Sequence, residues 1–164
     1  MLAKPDSAHR RVAAMEVTFT KAAHAWHFPI WVARKRKSRI AGSILGRDPR
    51  RLPHDIVTLV VERELGIVDG FLATVAGGGT FRSMAKRRHA DGKAAIARNR
   101  AGLDRAEHVV GTTCAEWLAG RTTRCNDALD ATLDAWRALP PGGELTLTWP
   151  TRSCATGQRS QHRG

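Results

Sequence analysis

The chain is short of cysteine. Cys114, Cys125 and Cys154 are the only three, and no two of them form a CxxC pair. An odd, scattered set excludes a disulfide framework and a zinc knuckle, and a reducing cytoplasm is the location it leads one to expect. Apolar runs are short too. The longest, such as IVTLVV at 56–61, fall far below the roughly 20 residues needed to cross a bilayer. The opening MLAKPDSAHRRVAAMEV has no apolar core region, so it is not read as a secretory signal. A soluble, cytoplasmic protein without membrane contact is expected. Catalytic and nucleotide signatures are missing as well: there is no GxSxG, GxGxxG or GxxxxGK[ST], which removes the nucleophile elbow, the dinucleotide fold and the P-loop.

Acidic residues are scarce beside basic ones. Fifteen Asp and Glu stand against 27 Lys and Arg, a formal net charge of +12. Arginine far outnumbers lysine, alanine and glycine are abundant, and tyrosine is absent. GC-rich coding produces that profile, so part of the charge is discounted as evidence of function. Such a surface still attracts polyanions.

What is present reads as one globular domain. A 164-residue chain with 42% hydrophobic and 26% charged residues can bury a core without metal or disulfide staples. Residues 1–14 are mixed and aperiodic, a flexible arm or an over-extended start before Met15. Residues 151–164 read as a disordered basic tail. Between them, 15–150 forms the domain. Alternating apolar residues predict strands near 16–20, 27–33 and 144–149. Pro29 lacks an amide donor and marks the second as an edge strand, or as one bulged at that residue. Helices are predicted near 53–65, 69–76, 91–119 and 126–138. Pro53 and Gly66 punctuate the first, and Asp69 caps the second. In the third, Ile96, Leu103, Val110 and Trp117 recur every seven residues with Ala106 and Thr113 between them, a single buried stripe. This order gives an α+β fold, a small, mainly antiparallel sheet covered by helices.

Three candidate sites stand out. His54, Thr58 and Glu62 lie four residues apart and share nearly one helix face. A His and a carboxylate on one face begin a metal site, although threonine is a poor middle ligand. The plain alternative is a core helix with a polar start, in which Ile56, Val57, Leu59, Val60, Val61 and Leu65 are buried. The second candidate is AGGGTFRSMAKRRHADGK at 76–93. Its glycine amides and Lys86, Arg87 and Arg88 could receive an anion, while an interhelical loop is the simpler reading. The third is residues 34–51, with eight basic residues against one Asp: Arg34, Lys35, Arg36, Lys37 and Arg39, then Arg47, Arg50 and Arg51. They read as a turn or loop, with a possible short strand at 43–45, and can track a phosphate backbone.

LPHDIVTLVVERELGIVDGFLATVAGGGTF, followed by WRALPPGGELTLTWP, resembles a group of small uncharacterised bacterial proteins over roughly residues 15–150. In that group the helix reads LPHDxxHxxVE and the end reads WxxLPPGxxLTLxWP. The resemblance implies a shared fold and carries no activity with it. Thr58 stands where the group has histidine, so if the relatives hold a metal there, this chain lacks one ligand. The function expected is a non-catalytic basic module for an acidic partner, nucleic acid first, with no cofactor. Two alternatives are a metal-dependent hydrolase-like scaffold degraded at His54 and Glu62, and an interaction module that dimerises through the 91–119 helix.

Overall fold

A computed structural model of the chain describes residues 14–24, 30–35, 38–44, 51–81 and 90–150. The elements are β1 (Met15–Thr20), β2 (Ile30–Lys35), β3 (Ser38–Ser43), α1 (His54–Leu65), α2 (Phe71–Ala76), α3 (Ala90–Arg98), α4 (Arg100–Leu118), α5 (Asn126–Ala138) and β4 (Glu144–Trp149). The four strands form one sheet in the order β3-β2-β1-β4. Every neighbouring pair is antiparallel, and the fold is α+β. The expected arm and tail lie outside the described residues, apart from Ala14.

The period of two sets the sheet's faces. Met15, Val17 and Phe19 are buried on the inner face of β1. Trp149, Leu147 and Leu145 stand opposite them on β4. On the outer face Thr18 meets Thr146 in register, their hydroxyls 2.9 Å apart.

The sheet departs from expectation twice. Residues 38–43, read as loop, form β3 and pair fully with β2. SRIAGS carries little strand propensity of its own, and pairing with a neighbour overrides it. Consequently β2 is an interior strand instead of an edge. Its described pairing begins at Ile30, and Pro29 lies outside the described residues.

Helix α1 is the centre of the protein. All of residues 56–62 are buried, as expected of a helix packed on every side. Pro53 sits at its N-cap, one position earlier than expected, and Asp55 lies in the first turn. Gly66 ends it in the left-handed region at φ 67°, and the Ile67 amide closes back on the Glu62 carbonyl at 2.8 Å. This is the glycine stop the sequence announces. One contiguous core joins Met15, Val17, Phe19 and Trp149 to α1, with Leu129 and Trp136 of α5 and Val110 of α4. Among the described residues no helix is long and apolar enough to cross a membrane.

The expected helix over 91–119 is two helices, broken at Asn99. The Asn99 side-chain amide donates to the Asp69 carbonyl and to the Thr74 hydroxyl, both at 2.7 Å. It thereby ties the break to the start of α2. Gly102 follows and is required there. A Cβ at that position would lie 2.5 Å from the Asp69 carbonyl oxygen, so the helix approaches the loop as closely as only glycine permits.

Candidate functional site

Glu62 comes from the last turn of α1 and is only 1% exposed. A buried carboxylate needs hydrogen-bond donors, and the start of α2 supplies them. The amides of Phe71 and Leu72 donate to its two oxygens at 2.5 and 3.0 Å. These amides have no acceptor within α2. The cap of that short helix is therefore Glu62 and not Asp69, whose side chain instead pairs with Arg105. Gly70 makes room: a Cβ there would meet Glu62 Oε1 at 2.1 Å. Burial pushes the Glu62 carboxyl up to about 7 from an ordinary 4.5. The two amides pull the other way, and the nearby charges of Asp69 and Glu107 push it further up.

His54 and Thr58 continue the ladder toward the N-terminus of α1. The Thr58 hydroxyl donates to the His54 carbonyl of its own helix at 3.0 Å. His54 is half-exposed, with Nε2 3.6 Å from Glu107 on α4. Between His54 and Glu62 the helix rises about 12 Å, so these two side chains cannot close on one ion by themselves. Among the described residues no group of three His, Cys, Asp or Glu is placed to hold a metal ion.

The ladder does line a cleft. Its volume is ≈ 480 Å³, with His54, Asp55, Thr58 and Glu62 on one wall and Leu103, Ala106, Glu107 and Val110 of α4 on the other. Phe71 and Phe81 also line it, their ring centroids 4.8 Å apart. Ile96 and Leu103, expected as core, are half-buried because their stripe borders this opening. Val110 and Ala106 reach the interior proper at 1% and 4% exposure. The stripe packs within the chain, α4 lying against α1 and α2. Sequence reasoning missed Arg100, Asp104 and Glu107 as residues lining the same cleft as His54. Their spacing with Leu103 of 0, 3, 4 and 7 is the signal that finds them, since it marks one helix face.

The glycine run is occupied by structure. Gly77, Gly78 and Gly79 donate their amides to Ala73, Val75 and Thr74 at 2.9, 3.0 and 2.8 Å, finishing α2. That uses the donors an anion nest requires. Lys86, Arg87 and Arg88 lie outside the described residues, as do Arg36, Lys37, Arg47 and Arg50. Arg34 and Lys35 stand at the end of β2, and Arg39 near the start of β3. In register Arg34 faces Arg39 on one side and Glu16 on the other. Lys35 faces Ser38. Of the cysteines, Cys125 is buried and Cys114 half-buried, and burial raises both thiols above the ordinary value. This is the opposite of what an activated nucleophile requires.

Compared with protein-family models, with curated proteins and with solved structures, the chain matches none of them.

Proposed function

We propose that the protein is a non-catalytic basic module that binds an acidic partner, nucleic acid first, along the β2–β3 end of its sheet. The observation that carries this reading is the cross-strand pair Arg34 and Arg39. Like charges directly opposite on a ladder oppose folding, and in register Glu16 stands across Arg34 on the other side. A phosphate backbone would bring further negative charge to that rank. The outer face beside them carries Thr18, Thr20, Thr146 and Thr148, whose hydroxyls are suited to phosphate oxygens. The net charge of +12 favours the encounter at long range.

Salt dependence tests it. On duplex DNA each phosphate contact contributes about 0.9 to the slope of log affinity against log salt, so about four contacts give a slope near −3.6. Affinity then falls roughly twelvefold between about 100 and 200 mM salt. Replacing Arg34, Lys35, Arg36 and Lys37 with Ser should flatten the slope and weaken binding alike on all sequences, because phosphate contacts carry no base information. An equal number of changes in the 151–164 segment controls for net charge. Equal loss in both variants, or no binding by the parent at low salt, refutes the reading.

A further inference from the structure

We propose that the cleft between α1 and α4 is a binding site for a small organic cation with an apolar body, such as an arylalkyl amine. Its described lining is acidic, whereas the chain is basic. Among the described residues Asp55, Glu62, Asp104 and Glu107 line it, against a single lysine or arginine, Arg100. Glu62 is capped by the Phe71 and Leu72 amides and holds its proton up to about 7, so Asp55, Asp104 and Glu107 set the sign of the described lining, which disfavours an anion.

The apolar half of the lining decides what kind of cation fits. Phe71 and Phe81 form a tilted pair at an interplanar angle of 39°, and rings in this position favour both apolar contact and an ammonium near their faces. The volume of ≈ 480 Å³ lies within the range of about 300–1,000 Å³ typical of small-molecule sites. A neutral apolar ligand would cover the carboxylates without replacing their water. An ammonium group replaces that water with charge-assisted hydrogen bonds. Two contacts of the lining, His54–Glu107 at 3.6 Å and the Arg100–Asp104 ion pair at 3.2 Å, are solvent-exposed and therefore weak competitors. Glu107 is the natural anchor, because it sits opposite the α1 ladder with its side chain 69% exposed.

The test is titration of the full chain with 2-phenylethylamine, read by calorimetry and by amide NMR shifts. 2-Phenylethanol and phenylacetate serve as the neutral and anionic counterparts of the same shape. The amine should bind and shift amides of α1 and α4, the alcohol should bind about tenfold more weakly, the worth of one charge-assisted hydrogen bond, and the anion should not bind. Glu107→Gln should weaken the amine about tenfold on the same reasoning and leave the melting temperature unchanged, since the residue is exposed. Equal binding of the alcohol or the anion overturns the proposal. So does an amine that fails to bind at millimolar concentration, that shifts amides elsewhere, or that is indifferent to Glu107→Gln.

Discussion

Glu62 serves a helix other than its own, and that shapes how its loss would be felt. Glu62→Gln turns an acceptor into a donor facing one of two backbone amides, so it should lower stability by about 1–3 kcal/mol in urea unfolding. Gly70→Ala pushes a methyl into the same carboxylate and should cost about as much. The acidity of Glu62 gives a second signature. The folded carboxyl holds its proton up to about 7, whereas the unfolded one releases it near 4.5. The folded state therefore binds the extra proton between those values. This contribution to stability is complete below 4.5 and disappears as pH rises through 7, roughly 3 kcal/mol in all. Urea midpoints measured across that window should fall with pH in the parent and lose this component in Glu62→Gln. An unchanged slope would assign the proton to another group. The spacing of His54, Thr58 and Glu62 was legible in the sequence. Their partners were not, because the amides of Phe71 and Leu72 and the carboxylate of Glu107 reach the ladder only through tertiary folding.

Elements were legible where their own residues decide them. Helices α1 and α5 and strands β1 and β4 follow from period and punctuation, and all agree with expectation to within a residue. Strand β3 and the Asn99 break were not legible, since each depends on a neighbour: β2 for the first, and Asp69 with Thr74 for the second. Asn99→Ala removes both bonds of that joint and should destabilise the chain by about 1–3 kcal/mol, whereas Asn99→Asp should keep the position polar yet still lose the donors. Because α1 is enclosed on all sides, Leu59→Ala should cost about 2–5 kcal/mol through the cavity it leaves, while His54→Ala, at a half-exposed position, should cost little. Thermal or urea unfolding of the pair decides it, and similar losses would contradict the described burial. Helix α5 carries a comparable dependence. Its last carbonyls, those of Trp136, Arg137 and Leu139, accept from the Lys21 ammonium at 3.0, 3.4 and 2.9 Å. Lys21→Met keeps the aliphatic stem and leaves those carbonyls without the cation that suits a helix C-terminus.

At the scale of the whole molecule, the chain is strongly basic while the described lining of the α1–α4 cleft is acidic. Composition gave the first directly. The second could not be read from it, because residues from α1 and α4 meet only in the fold. A chain of residues 15–150 made alone should melt within about 4 °C of the parent, the shift that roughly 1 kcal/mol produces at this size. A larger loss would mean that an end segment docks on the domain. The register of the sheet has a mechanical consequence. Met15 lies directly across from Trp149, so the domain's first and last strands begin and finish side by side. A force applied through the two ends would open β4 from β1 one rung at a time, like a zip, instead of shearing the whole ladder at once. Under tension the molecule should yield early and gradually from that corner, and a tether moved to the opposite end of β4 should meet a sharper, higher resistance.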